Sequence, residues 1–278
     1  GVILSLALGS VMTFGWLGFP ALGIAGLAIG GGIAMTVTII IFLLIWIFGG
    51  FHFKPSNPTP DFLSNGRTLI NIGLPAAFEQ AFFQGGLLIF MVFLAGYGSA
   101  PFAAYGIGLS ILGLVIVVAF SFSISSATLV SQHLGAGDFK GAYDAGWKTM
   151  RTCLYVMITG SVVMCWYAHD IAHFMIDDPE VIRHMVQFTY ILGACLPLMA
   201  VEFSMAGALR GAGDTRYPMM VTVFSILLTR IIAPWVLVTM GAEVVWLYAT
   251  SLVDFSIKSS LNMRRFRKKG WFKAHLQQ

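Results

Sequence analysis

A small set of acidic and amide side chains lies inside long apolar stretches, where these groups could exchange a cation. Glu79 follows Pro75 by four residues, with Gln80 and Gln84 close by. Proline removes a backbone hydrogen bond within a helix and can bend it, so a carboxylate on the same face could form a proton or cation site. A charge at mid-bilayer costs roughly 2.5–3.5 kcal/mol on insertion scales. The alternative for Glu79 is a protonated or hydrogen-bonded packing residue.

Four further charged residues occupy apolar stretches. Asp254 and Lys258 are four residues apart, so they share one helix face and can neutralise each other. Arg230 has no acid on its own stretch; it could meet Asp254 across the last hairpin, or provide a positive lining that disfavours cations. Glu202 lies eight residues before Arg210 and could pair with it or with another basic group. The sequence alone leaves these alternatives open.

The composition explains why these charges are informative. Hydrophobic residues make up 58% of the chain and charged residues 10%, and the mean hydropathy is +0.84. A water-soluble chain of this length would need more charge, so the solvent is largely lipid. Since a spanning helix needs roughly 20 apolar residues, we expect an all-α, multi-pass transmembrane bundle of about eight helices. The predicted spans are 1–19, 22–48, 69–96, 104–132, 147–168, 181–208, 217–239 and 243–264.

The basic residues predict how the bundle is oriented. Fourteen of the 16 Lys and Arg residues fall on one side of these spans. The positive-inside rule makes that side cytoplasmic, so we expect a multi-pass protein of the cell (inner) membrane with a cytoplasmic C-terminus. The basic run after 264 is then a contact with anionic lipid headgroups, and we expect no nucleic-acid partner.

The Pro- and Gly-containing segment 51–68 predicts a domain boundary. It separates a two-helix segment, 1–50, from a six-helix segment with a basic tail, 69–278. Because Gly1 runs straight into apolar sequence without the features of a signal peptide, we expect a partial chain.

The tetrapeptide Gly-Ala-Gly-Asp occurs twice, at 135–138 and at 211–214. Each copy follows a predicted helix that runs towards the cytoplasm. Glycine closes helix C-termini, and the Asp could cap the next segment, so both copies predict helix–turn junctions. Neither copy continues as a phosphate-binding loop.

The segment 208–216, Ala-Leu-Arg-Gly-Ala-Gly-Asp-Thr-Arg, resembles the signature of the multidrug and toxic compound extrusion (MATE) family. Gly-Leu-Pro-Ala-Ala at 73–77, the residues 95–106 and Gln-His-Leu-Gly-Ala-Gly-Asp at 132–138 resemble other parts of that family in order and spacing. The resemblance implies a fold of twelve helices in two lobes. Residues 1–50 would be the last two helices of the N-terminal lobe, 51–68 the inter-lobe linker, and 69–278 the C-terminal lobe.

The same resemblance implies a function. Family members couple transport to cations through acids on two helices, which here carry Glu79 and Glu202. We therefore expect an H⁺- or Na⁺-coupled antiporter, not an enzyme, that exports organic, cationic drug-like compounds. Gln80, Gln84, Arg230 and Asp254 are candidates for lining the cavity or the substrate site. We expect the lipid bilayer, a small organic substrate and the coupling ion as partners, with no metal site and no other cofactor.

Three other functions remain to be weighed. A lipid-linked precursor flippase of the same superfamily would need a wide cationic cavity, for which the deep basic residues look too few. A non-transporting membrane fragment is consistent with a partial chain. An intramembrane enzyme would need a nucleophile–base pair, a metal triad or two facing aspartates, and none of these patterns can be recognised in the sequence.

Overall fold

The structure, a computed structural model, describes residues 2–18, 20–48, 62–268 and 271. Nearly all of these residues are helical, and none of the described residues forms a β-strand, so the predicted all-α fold is confirmed. Most of the predicted linker, residues 51–61, and the tail beyond 268 apart from Trp271 lie outside the described residues.

Six helices are long and apolar enough to cross a membrane by length and composition. They are α2 (Ile24–Ile47), the Gly73–Ala95 part of α3 (Phe62–Ala95), α4 (Ser99–Gly135), α5 (Phe139–Trp166), α7 (Pro179–Gly211) and the combined helix Arg216–Thr239. That last helix consists of α8 (Arg216–Ile226), a π-helical turn (Leu227–Ile232) and α9 (Ala233–Thr239). A short helix, α6 (Ala168–Met175), precedes α7.

The other two predicted spans are helical but differ from this pattern. The first is α1 (Val2–Phe14), whose 13 residues would extend only about 20 Å, followed by a 3₁₀ turn at Trp16–Gly18. The last is α10 (Val244–Arg267), with 24 residues. It is long enough to span a membrane but is less apolar, because it contains polar and charged residues. Several of these are buried, including Asp254, Lys258 and Asn262.

The chain divides into two compact units, Gly1–Asn65 and Gly66–Gln278. In the first unit α1 packs against α2, and the amide of Leu22 donates to the carbonyl of Met12 at 3.1 Å. In the second unit α7 is the central helix: it packs against α4, α5 and α10 and is the most buried of the six apolar helices.

Close packing of α7 against α4 depends on small residues. A Cβ at Gly207 would lie 2.2 Å from the carbonyl oxygen of Ser123, and one at Gly211 would lie 2.3 Å from that of Ala127. Small residues spaced by four allow helix backbones to approach closely in membranes. The two helices run in the same direction and end at the same side of the unit, so the two Gly-Ala-Gly-Asp turns lie at the same end.

Both turns form the same backbone motif. The Asp138 amide donates to the His133 carbonyl at 2.8 Å, and the Asp214 amide donates to the Leu209 carbonyl at 2.9 Å. The preceding glycines, Gly137 and Gly213, have φ of 72° and 83°. This is the Schellman arrangement, in which a left-handed residue closes the helix, so the predicted helix ends are confirmed.

The aspartates of the two turns behave differently. Asp138 accepts a hydrogen bond from the Gly141 amide at 2.8 Å and caps α5, and this bond holds the pKa of its carboxyl below the ordinary value. The predicted cap by Asp214 is wrong. Its carboxylate instead accepts from Arg265 at 2.9 Å, so it ties the start of α8 to the end of α10.

Candidate functional site

Glu79 and Glu202, from α3 and α7, line the same cavity of the second unit. The cavity measures about 40 Å³, enough for roughly two or three water molecules. Five helices contribute to it: α3, α4, α7, α8 and α10. The lining residues are Ala76, Glu79, Gln80, Phe83, Phe120, Glu202, Phe203, Arg210, Thr222, Phe255 and Lys258.

Only one of the two carboxylate oxygens of Glu79 has partners among the described residues. Its Oε1 accepts from the Thr222 hydroxyl at 3.2 Å and lies 3.5 Å from Arg210 Nη2. Its Oε2 is buried and has no hydrogen-bond partner among the described residues, and neither does Arg210 Nε. The contact with Arg210 is therefore a single long one rather than the two-point pairing that makes Arg–carboxylate pairs strong.

Glu202 has no counter-ion in contact among the described residues. It is 5% exposed, its Oε2 has no hydrogen-bond partner in the described part of the chain, and no described cation lies within 4 Å of its carboxylate. The pairing with Arg210 considered from the sequence does not form. The eight residues that separate the two side chains correspond to about 12 Å along the helix, and Arg210 turns to Glu79 instead.

Asp254 is the opposite case, with three partners. Its carboxylate accepts from Ser225 Oγ at 2.5 Å and from Lys258 Nζ at 3.0 Å, and it lies 3.8 Å from Arg230 Nη2. The contact with Lys258 within the helix and the contact with Arg230 across the last hairpin therefore occur together. Asp254 is 1% exposed, and a buried charge of this kind requires such pairing.

The π-helical turn positions Arg230. Pro234 has no amide hydrogen to donate to the Arg230 carbonyl, and its ring would clash with that carbonyl in a regular helix; a wider turn relieves both problems. The turn spans Leu227–Ile232. The Arg230 guanidinium carbon lies 4.8 Å from the centre of the Phe90 ring, a cation–π distance.

The other residues predicted to line the cavity do not all lie in the same place. Gln80 lines the cavity with Glu79. Gln84 lies one turn further along α3, is exposed, and is outside the lining of this cavity. Arg230 lines a second, mostly apolar cavity of about 20 Å³ with Tyr105 and Phe255, and Asp254 lies beside it through the ion pair.

Sequence reasoning missed several members of the cluster. Thr222 and Ser225 were not singled out, and Arg210 and Lys258 were considered only as partners. A usable signal existed: Thr222, Ser225 and Thr229 follow one another at spacings of three and four in an apolar segment, so they share a helix face. All three are at most 3% exposed, and Thr222 and Ser225 donate to the acids.

The cluster could bind a cation because some of its carboxylate oxygens have no partner among the described residues, whereas others are paired. Glu202 and the free oxygen of Glu79 offer carboxylate oxygens to a proton or a hard monovalent cation, and the cavity has room for accompanying water. Phe83, Phe120, Phe203 and Phe255 surround these groups. Their apolar rings supply no hydrogen bonds to a carboxylate, so they strengthen its need for a positive partner.

Comparisons with known proteins place this chain in a family. The MatE family model matches residues 75–236. The chain is 27% identical over 277 residues to a probable multidrug resistance protein NorM of Thermotoga maritima, covering 97% of this chain and 58% of that protein. It is 24% identical to an uncharacterized transporter, YisQ, of Bacillus subtilis, covering 97% of this chain and 60% of that protein. The chain thus spans about three fifths of the length of these curated relatives.

Solved structures show the same fold. The crystal structure of the eukaryotic MATE transporter AtDTX14 matches with a TM-score of 0.86 at 16% identity, over 99% of this chain and 62% of that one. An outward-facing multidrug resistance MATE family transporter matches with a TM-score of 0.69 at 18% identity, over 73% of this chain and 46% of that one. Since the family model covers more than half of the chain and the fold agrees, this protein belongs to the MATE family.

Proposed function

We propose that this chain is part of a cation-coupled antiporter, driven by H⁺ or Na⁺, that exports organic, cationic drug-like compounds. The membership in the MATE family and the relatives named as multidrug resistance proteins support this proposal. Because the chain spans about three fifths of those relatives, the proposal concerns a transporter of their length, to which this chain contributes residues 1–50 from the N-terminal lobe, the linker 51–68, and the C-terminal lobe 69–278.

The observation that carries the proposal is the buried, unpaired carboxylate of Glu202 beside Glu79. A charge at membrane depth is strongly unfavourable without a partner, and none of the described cations touches Glu202. A proton on Glu202, or a sodium ion held by Glu202 and the free Oε2 of Glu79, would remove this cost. Sequence reasoning gave Glu79 the leading role; the contacts favour Glu202 as the primary ion-binding group and Glu79 as its companion.

Ion binding would be coupled to the conformational change because it alters the charge at Glu202. Secondary transporters built from repeats expose their sites alternately by rocking one half against the other, and the balance between the two conformations would depend on whether Glu202 carries an ion. A coupling ion on Glu202 would therefore shift the balance between these conformations, because it adds one positive charge to the described cluster. We propose that the cytoplasmic side is the one carrying the Gly-Ala-Gly-Asp turns and the C-terminus, in accordance with the distribution of basic residues.

The lipid-linked precursor flippase is not favoured by the contacts. Such a protein needs surplus positive charge for a pyrophosphate headgroup, whereas each of Arg210, Arg230 and Lys258 lies against a carboxylate. Three acids, Glu79, Glu202 and Asp254, balance three bases in the described cluster.

The test is efflux from vesicles in the transporter that contains this chain. Glu202→Gln should abolish efflux driven by an imposed pH or sodium gradient, while the protein level in the membrane is unchanged. Glu243→Gln, an exposed acid that precedes α10, is the matched control and should retain efflux. Gradient-driven efflux by a normally inserted Glu202→Gln variant would refute the assignment.

The coupling ion is identified by imposing each gradient separately. Efflux that follows the sodium gradient at constant pH identifies Na⁺; efflux that follows the pH gradient without sodium identifies H⁺. If neither gradient drives efflux of any of a panel of organic cations by the folded wild-type protein, the transport proposal fails as a whole.

A further inference from the structure

Lys258 is the only cation of the described cluster that borders both the paired and the unpaired acids. Its Nζ donates to Asp254 at 3.0 Å, yet its side chain also lines the cavity that contains Glu79 and Glu202. Arg230 does not line that cavity, and Arg210 approaches it from Glu79. Lys258 therefore lies where one ammonium group could serve either carboxylate, Asp254 or Glu202.

Asp254 does not depend on Lys258 alone. If the ammonium group moved away, Asp254 would keep the hydrogen bond from Ser225 and the nearby Arg230 guanidinium. Glu202, in contrast, would gain its first cationic partner among the described residues. Movement of one ammonium group would thus leave both acids neutralised.

The surroundings of Lys258 favour such mobility. The ammonium nitrogen lies 5.5 Å from the centre of the Phe83 ring and 5.6 Å from that of Phe255. Aromatic faces attract a cation without fixing its direction, and lysine is a compact charge on a flexible four-carbon stem. The cavity beside it is large enough for a few water molecules or for the ammonium group itself.

We propose that Lys258 is a tethered cation that competes with the coupling ion for Glu202. With a proton or sodium ion on Glu202, Lys258 stays on Asp254; when the ion leaves, the ammonium group moves to Glu202 and gives that carboxylate a cationic partner. The inference rests on the proposed coupling site and specifies what stabilises that site in its ion-free state. A competitor of this kind weakens ion binding and promotes ion release.

The experiment measures cation binding by the 278-residue chain in detergent or lipid nanodiscs. Sodium is titrated at fixed pH, protons are titrated without sodium, and the protonated-carboxyl infrared band reports occupancy. Lys258→Met should bind the coupling cation about tenfold more tightly, within the roughly 5- to 150-fold range of typical coupling between sites. Lys258→Arg keeps the positive charge and should stay closer to wild type. Lys148→Met, an exposed lysine on α5, is the control and should not change affinity.

The outcomes separate the two proposals. If wild type binds neither cation, or Glu202→Gln binds as wild type does, the proposed coupling site fails. If binding depends on Glu202 but Lys258→Met leaves affinity unchanged or weakens it, only the competition is refuted. Should Lys258→Met not give folded protein, Lys258→Gln is titrated instead, with the same tighter binding expected and unchanged affinity counting against the competition.

Discussion

Asp254 and Glu202 are two buried acids in neighbouring helices that have opposite environments. Asp254 accepts from a hydroxyl and an ammonium group and has a guanidinium nearby, whereas Glu202 has a buried oxygen that no described residue contacts with a hydrogen bond. Both are at most 5% exposed, so burial alone does not distinguish them. We therefore expect Asp254 to stabilise the helix bundle, whereas Glu202 is the group to which our proposal assigns the coupling ion.

The largest effect should come from neutralising Asp254. Asp254→Asn leaves Arg230 and Lys258 as buried cations without their carboxylate, and breaking a buried ion pair by removing one partner costs about 3–5 kcal/mol. We expect this loss in the free energy of unfolding, measured by denaturant titration in detergent micelles. The exposed Asp144 on α5 provides the control variant Asp144→Asn. A stability equal to that of the control would remove Asp254 from its structural role.

Removing only the Ser225 hydroxyl that donates to Asp254 should lower the unfolding free energy by less. Ser225→Ala deletes a hydrogen bond to a charged group, worth about 1.5–3 kcal/mol, but leaves both cations on Asp254. Thr222→Val deletes the corresponding, longer bond to Glu79. We expect Ser225→Ala to lower the unfolding free energy more than Thr222→Val does; the reverse order would mean that Asp254 is not the better-bound acid.

The matching change at Glu202 should hardly affect stability. Glu202→Gln removes a carboxylate that no described cation contacts, so no buried cation loses its partner. We expect the unfolding free energy to stay within about 1 kcal/mol of wild type, or to rise, because replacing an unfavourable buried charge is often neutral or stabilising. A loss as large as that of Asp254→Asn would show that Glu202 is structurally paired, and would break the comparison.

The sequence predicted this site unevenly, for physical reasons. Helix existence and type followed from hydropathy, and the ends of α4 and α7 followed from glycine at 137 and 213. The pair of Asp254 and Lys258 could be predicted because helical spacing of four is local. The contact between Thr222 and Glu79 joins residues 143 positions apart, and the choice of Arg210 between Glu79 and Glu202 depends on where α3 lies relative to α7. Periodicity within one helix carries no information on these long-range contacts.

The same limit explains the two Gly-Ala-Gly-Asp turns. Both turns close the helix with the same hydrogen-bond pattern and a left-handed glycine, because local glycine chemistry sets this motif, and that part was predictable. The contacts of each aspartate side chain depend on whether a cation from a remote part of the sequence lies nearby in space. Arg265 donates to Asp214, whereas Asp138 bonds to the amide of Gly141 and to His133 in its own turn. Equal sequences therefore gave equal turns but different side-chain roles.

The pair of Asp214 and Arg265 should also have a small effect on stability, and it tests how much the burial of the cation contributes. Its geometry, at 2.9 Å, is as short as that of Asp254 with Lys258, but the Arg265 side chain is 35% exposed. The Asp214 side chain is only 8% exposed, but water still solvates the Arg265 guanidinium, and pairs that solvent reaches contribute about 0–1 kcal/mol. Arg265→Gln should lower the unfolding free energy by no more than this, and the difference from wild type should shrink at high salt.

Arg264→Gln, at an exposed neighbour, is the control. If Arg265→Gln cost as much as Asp254→Asn, pairing distance rather than burial would decide the strength of these ion pairs, and the contrast between Asp254 and Glu202 would need another cause.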